Sequence, residues 1–276
     1  MKTIDVQGCK VPALGFGTYK LNGDACVQAV DFAIHEGYTH IDTAQIYENE
    51  AEVGDGIKKS GAARDKLFVT TKIWRNEFSG RTALKSVDES LRKLKLDYVD
   101  LLLVHWPFPE TPVAEMVEAV MKAQETGKAK LIGVSNFNVK QIEEAVKISG
   151  GKIVCDQVEY HPYLNQNAVL STLRKNNMFL TAYSPVARGL VTKDPTLKEI
   201  GLKYGKNAGQ VGLRWLVQQD RVAAIPKSAT PENIKNNLNI FDFELSVEDM
   251  NKIHALARVD GRQIDPEFAP EWDKAA

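Results

Sequence analysis

Residues 97–107 read DYVDLLLVHWP, and within them the run Val99–Val104, closed by His105, sets the pattern for the whole chain. A short apolar or β-branched run that ends on a polar residue or glycine is strand punctuation. It recurs in both directions from this point, at Ala13–Phe16, Tyr38–Ile41, Leu67–Thr71, Leu131–Val134, Ile153–Val158, Met178–Ala182 and Val222–Ile225.

Longer amphipathic stretches separate these runs. Asp24–Glu36 opens on an acidic cap candidate, directs Val27, Val30, Phe32, Ala33 and Ile34 toward a core, and stops at Gly37. Ser79–Arg92, Val113–Glu125, Val139–Lys147, Asn167–Lys175, Asn207–Gln218 and Pro231–Leu238 follow the same grammar, and Ser246–Ala255 adds a helix near the C-terminus. About eight strands, each followed by a helix, fit an α/β fold of the closed (β/α)₈ TIM-barrel type better than an open doubly wound sheet. Ile4–Val11, with Gly8 inside it, reads as a hairpin capping the barrel's N-terminal end. The turn-rich segment RVDGRQIDPEFAPEWD, residues 258–273, reads either as a lid or as a frayed tail.

The 276 residues are 43% hydrophobic and 26% charged, which suffices for one sizeable core, so residues 1–276 are expected to form a single barrel domain. The net charge of −1 with interspersed signs points away from nucleic acid and anionic membranes and toward a small-molecule partner. No signal-peptide-like start or membrane-spanning apolar run is present, so a cytoplasmic protein is expected. Cys9, Cys26 and Cys155 lack metal-ligand or CxxC spacing and read as reduced thiols, Cys26 as a packing residue.

In such a barrel the chemistry sits at the C-terminal ends of the strands. The residues there are Asp42 after THI, Lys72 after LFVTT, His105 after DLLLV, Ser135 and Asn136 after LIGV, Gln157 after IVCD, Tyr183 after FLTA and Lys227 after AAIP. Singly, Asp42 reads as a helix cap, Lys72 as a surface charge and His105 as a core histidine. Jointly they ring one mouth, where a converging lysine and aspartate must pair because burying either alone is costly. Tyr47, in the loop after the second strand run, supplies a proton donor. A neighbouring ammonium from Lys72 is expected to lower its phenol pKa, while Asp42 keeps the lysine charged and His105 donates to a substrate carbonyl or completes a proton relay.

These segments resemble the aldo-keto reductase superfamily over nearly the whole chain. LGFGTY, GYTHIDTAQIYENEAEVG, LFVTTKIW, DYVDLLLVHWP, LIGVSNF, DQVEYHPYL, AYSPVARG and IPKSATPENIKNN occur in the family's order, and the likeness is strongest to bacterial 2,5-diketo-D-gluconate reductase-like members. The resemblance implies a catalytic tetrad of Asp42, Tyr47, Lys72 and His105, with Tyr47 as general acid, and no metal. It also implies that Ser135, Asn136 and Gln157 hold the nicotinamide carboxamide while Tyr183 stacks on the ring. Further cofactor contacts carried over are Thr18, the pyrophosphate loop with Ser184, Pro185, Val186, Arg188 and Gly189, and the adenosine-side residues Lys227, Ser228, Asn233 and Asn237. Tyr19, Trp74, Trp106 and His105 match substrate-pocket positions.

One position departs from the pattern: Asn233 stands where many relatives carry an arginine that pairs with the 2′-phosphate. The implied cofactor is NADPH (NADP+), with its preference over NADH narrowed and NADH tolerated. The implied reaction is reduction of small aldehydes and ketones, including keto-sugars, α-dicarbonyls and aromatic aldehydes, by a monomer. The alternatives are a non-catalytic NADPH-binding regulatory module and a structural lens-type protein, both on the same barrel. A Rossmann dehydrogenase is set aside because Gly15 and Gly17 in GFGTYK lack the third glycine of that fingerprint.

Overall fold

The computed structural model describes residues 2–75, 78 and 80–273. The chain starts with an antiparallel hairpin, β1 (Thr3–Val6) and β2 (Cys9–Pro12). Eight parallel strands follow: β3 (Phe16–Gly17), β4 (His40–Asp42), β5 (Phe68–Ile73), β6 (Val99–Val104), β7 (Ala129–Ser135), β8 (Ile153–Glu159), β9 (Phe179–Tyr183) and β10 (Val222–Ala224). They pair in sequence order. The circle closes between its first and last strands, where Gly15 donates to the Ala224 carbonyl (2.8 Å), Ala224 to Ala13 (2.9 Å) and Gly17 to Pro226 (3.0 Å). This is the expected (β/α)₈ barrel.

The helices are α1 (Gly23–Glu36), α2 (Glu50–Ser60), α3 (Gly80–Leu94), α4 (Val113–Glu125), α5 (Val139–Ser149), α6 (Asn167–Lys175), α7 (Pro195–Tyr204), α8 (Ala208–Gln218), α9 (Pro231–Leu238) and α10 (Val247–His254). Ser79, the expected first residue of α3, lies outside the described residues. Two helices, α2 and α7, lie in stretches whose local pattern does not single out a helix. In α2 the glycines that blur the helical pattern serve close packing: a Cβ on Gly54 would lie 2.5 Å from the Leu94 carbonyl oxygen. In α7 the start is set by Asp194, whose carboxylate accepts the Leu197 amide (3.0 Å) ahead of Pro195. No helix among the described residues is long and apolar enough to cross a membrane.

Two apolar layers explain why DLLLV is unbroken. Leu102 and Val104 face the helices in the outer core, whereas Leu101 and Leu103 face inward with Phe68, Leu131, Cys155, Phe179 and Ala223. Strands covered on both faces lose the alternation of a half-solvated sheet. Ile4, Val6 and Val11 of the hairpin join the inner cluster, so the hairpin plugs the N-terminal end of the barrel as expected. Gly15 owes its identity to the same crowding, since a Cβ there would lie 2.8 Å from the ring of buried His40. Cys26 is buried, and burial followed by the Glu52 charge pushes its thiol up to about 12, consistent with a packing role.

Candidate active site

Strand parity aims the reactive side chains. The two-residue repeat that turns Leu101 and Leu103 into the barrel carries His105 into its mouth. Asp42, Lys72, Ser135, Gln157 and Tyr183 stand at or next to the ends of β4, β5, β7, β8 and β9. Asp42, Lys72, Tyr47, His105, Ser135, Asn136, Gln157 and Tyr183 are joined here by hydrogen bonds and ring contacts.

At its base lies a buried ion pair. Lys72 is 0% and Asp42 1% exposed, and Nζ of the lysine lies 2.6 Å from Asp42 Oδ1. The ammonium also donates to the Thr43 carbonyl (2.8 Å) and to the Tyr47 hydroxyl (3.4 Å). The second carboxylate oxygen accepts from Gln157 Nε2 (2.7 Å). Both ions are thus hydrogen-bonded as well as paired, the condition for tolerating charge in an interior. Burial pulls the lysine's pKa down, and Asp42 acts against that shift.

The 3₁₀ turn Gln45–Tyr47 delivers the phenol to the lysine. Its ring lies edge-on to His105 at a centroid distance of 5.7 Å. Contrary to the expected lowering, burial, then the Asp42 charge and Tyr19, hold the Tyr47 phenol well above its ordinary range. Desolvating a phenolate outweighs one ammonium at 3.4 Å, so Tyr47 keeps its proton in this cleft. His105 is driven well below 6.5 by burial and then by the Lys72 charge, and is neutral at neutral pH. Its Nδ1 is buried without a hydrogen-bond partner among the described residues.

A second cluster suits a flat amide-bearing heterocycle. Asn136, held at a left-handed φ of 64°, donates through Nδ2 to the His105 carbonyl (3.1 Å) and Ser135 Oγ (3.1 Å) and accepts the Tyr183 hydroxyl at 2.7 Å. Ser135 Oγ donates to the Gln157 carbonyl (2.6 Å). Tyr183, Ser135, Asn136 and Gln157 are therefore braced before any ligand arrives, and they fit a nicotinamide with a ring to stack on and amide partners fixed in place. Beyond Tyr183, Ser184, Ala187 and Arg188 take left-handed backbone, folding residues 184–189 into a tight loop with Pro185 buried, Val186 half-buried and Arg188 exposed. Lys227 and Asn233 are exposed, Asn237 is half-buried and Ser228 is buried, around the loop after β10 and along α9. Thr18 is fully buried and spends its hydroxyl on the Asp42 carbonyl (2.9 Å), so it acts on the cleft through the position of Asp42.

The aromatic wall is built from two ends of the chain. Trp74 packs edge-on against His105 (5.2 Å) and Phe108 (5.1 Å), and Tyr19 lies 5.0 Å from Tyr47. Phe268 of the C-terminal segment contacts Trp106 (5.4 Å), Phe108 (5.5 Å) and Trp74 (6.2 Å), and Trp272 contacts Trp106 (6.1 Å). Phe268 and Trp272 thus pack on the mouth of the barrel, unlike a frayed tail. Sequence reading passed over Asn49, fully buried, whose amide donates to the Thr18 and Leu21 carbonyls (2.8 Å each) and accepts the Thr43 hydroxyl (2.9 Å). It also passed over Gln45, which accepts the Trp74 amide (2.8 Å). Neither ends a strand, so strand-end logic offered no signal for them.

A (β/α)₈ barrel with a buried Lys–Asp pair beneath a tyrosine, and beside it a hydrogen-bonded cluster that a nicotinamide would fit, has the features of an NAD(P)H-dependent oxidoreductase. Comparison with known proteins agrees: the model of the aldo/keto reductase family matches residues 13–258, and the chain belongs to that family. It is 39% identical over 267 residues to methylglyoxal reductase DkgB of Escherichia coli O157:H7, covering 95% of this chain and 99% of that protein. It is 42% identical over 251 residues to glyoxal reductase of Bacillus subtilis (strain 168), covering 91% and 90%. Among solved structures, a candidate 2,5-diketo-D-gluconic acid reductase B superposes with a TM-score of 0.97 at 48% identity, covering 99% of this chain and 98% of that one. A mutant of Gox0644 in complex with NADPH superposes with a TM-score of 0.90 at 32% identity, covering 96% of each chain.

Proposed function

We propose that this protein reduces small aldehydes and ketones to alcohols with NADPH, and that α-dicarbonyls such as glyoxal and methylglyoxal, the compounds named in its relatives, are among its substrates. The observation that carries the proposal is the Tyr47 hydroxyl 3.4 Å from a lysine that is itself locked to a buried aspartate. When bound, the dihydronicotinamide supplies a hydride to the carbonyl carbon. Tyr47 gives its proton to the carbonyl oxygen, and its raised pKa means that this proton is present at neutral pH. The Lys72 ammonium stabilises the negative charge left on the phenolic oxygen, and Asp42 keeps Lys72 charged and in place. Neutral His105 helps to orient the carbonyl by hydrogen bonding.

Tyr183, Ser135, Asn136 and Gln157 hold the ring, and Ser184, Pro185, Val186, Arg188 and Gly189 embrace the pyrophosphate. Lys227 and Ser228 would hold the 2′-phosphate, where Asn233 and Asn237 would add no charge, so NADPH would be favoured over NADH by a reduced margin. Tyr19, Trp74 and Trp106 shape an apolar pocket with few polar anchors, which suits several small carbonyl compounds, keto-sugars and aromatic aldehydes included. The proposal includes one barrel domain over residues 1–276, acting as a cytoplasmic monomer.

The test is NADPH oxidation against a panel of carbonyl compounds including methylglyoxal, with NADH in parallel and Tyr47→Phe as the matched control. Turnover that collapses in the variant supports the mechanism. Tight NADPH binding without turnover of any compound would move the regulatory-module reading ahead.

A further inference from the structure

Glu159, two residues beyond Gln157 on β8, is fully buried at the mouth of the barrel, yet the reduction does not use it. Its carboxylate reaches for the end of the chain. Oε1 accepts the Gln263 backbone N–H at 2.9 Å, with Oε2 3.2 Å from the same nitrogen, and Oε2 accepts the Ile264 N–H at 3.0 Å. His161 Nε2 donates to Oε1 (2.9 Å), and Gln166 Nε2 fixes the Glu159 carbonyl (2.8 Å). Arg262 lies 3.9 Å from Oε2 and carries its guanidinium over the Trp272 ring, 3.6 Å from the centroid. The Gln263 side chain in turn reaches the Ala187 carbonyl in the loop after β9 (3.4 Å).

We propose that Glu159 is a positioning residue that clasps the C-terminal segment over the cleft, holding Phe268 and Trp272 in place as the outer wall of the substrate pocket. This rests on the reductase reading above. Along residues 261–273 the chain has no regular secondary structure of its own, so its place depends on side-chain acceptors. Besides Glu159 and the aromatic contacts of Phe268 and Trp272, the described polar attachments of the segment to the barrel are Gln263 Nε2 to the Ala187 carbonyl (3.4 Å), Asn138 Nδ2 to the Glu271 carbonyl (3.0 Å) and the Val139 amide to Asp273 (2.9 Å), the last two exposed. A buried carboxylate taking consecutive backbone N–H groups is a charge-assisted anchor for the segment. If the clasp is released, the closed wall becomes only fractionally populated, and the apparent substrate affinity falls by that fraction while the chemistry behind it is untouched.

Glu159→Gln keeps the shape but replaces one acceptor oxygen with an NH2 group that faces the tail's donors. The expected result is exchange of the Gln263 and Ile264 amides with deuterium about tenfold faster, KM for methylglyoxal raised about tenfold, and kcat within about twofold of the parent. Phe268→Ala alone should also raise KM, and adding it to Glu159→Gln should change little further, because both act through the same wall. If Glu159→Gln does not fold, Gln263→Pro deletes the principal donor from the tail side and should give faster exchange of the remaining Ile264 amide, with the same rise in KM and the same near-constant kcat. Unchanged amide exchange, unchanged KM, a loss confined to kcat, or additive effects in the double variant would overturn the proposal. Failure of the reductase reading would look different, since the parent would not turn over while the exchange measurement still reported on the clasp.

Discussion

Replacing Lys72 with methionine tests the centre of the mechanism. The side chains are similar in length, so the change removes a charge with little change of volume. Tyr47 is neutral before proton transfer and anionic after it, so the ammonium 3.4 Å away acts mainly on the product side of that step. Taking an effective dielectric constant of about 20, a unit charge at that separation is worth about 5 kcal/mol, an upper bound that corresponds to somewhat more than three orders of magnitude in rate. Steady-state NADPH oxidation should therefore show kcat down by about a thousandfold, with cofactor affinity, measured by protein fluorescence quenching, nearly unchanged. Among the described side chains, the substitution leaves Asp42 hydrogen-bonded to Gln157 alone, and an unpaired buried charge destabilises the fold. Adding Asp42→Asn to Lys72→Met should recover thermal stability without recovering turnover. Retention of a tenth or more of the parent kcat in Lys72→Met would refute the assignment, as would recovery of turnover in the double variant.

Tyr47→Phe should lower kcat by about two to four orders of magnitude through loss of the general acid, with cofactor binding intact by fluorescence titration. Asn233→Arg should raise the NADPH-to-NADH preference by about tenfold or more in kcat/KM, because it adds a charged hydrogen-bonding partner for a 2′-phosphate; an unchanged ratio would place that phosphate elsewhere. Gly15→Ala should destabilise the protein by about 1–3 kcal/mol in urea unfolding, because its methyl group would press on the His40 ring. His105, with its folded-state pKa depressed below 6.5, favours the folded state fully above that value; as pH falls from about 6.5 toward the folded pKa the unfolded chain gains a proton that the folded one refuses, so Tm declines. His105→Gln should flatten that decline in a melting series from pH 7 to 5, and an unaltered slope would show that the acid sensitivity lies in other groups.

The barrel was legible in the sequence because a strand covered on both faces leaves an unbroken apolar run, and Val99–Val104 matches the observed β6 at both ends. Strand ends were equally informative, since parity and parallel pairing carry Asp42, Lys72, His105, Ser135, Gln157 and Tyr183 to the same mouth once eight such runs close into a circle. What local pattern could not supply was anything set by contacts between distant segments. Helix α2 was hidden because Gly54 answers to the Leu94 backbone rather than to helical propensity. The direction of the Tyr47 shift depends on how far burial outweighs one ammonium, a balance of solvent access that sequence spacing does not encode. Residues 258–273 looked equally like a lid or a loose end, because their anchor, Glu159, lies 104 positions from Gln263 in the chain and meets it only after the barrel has closed.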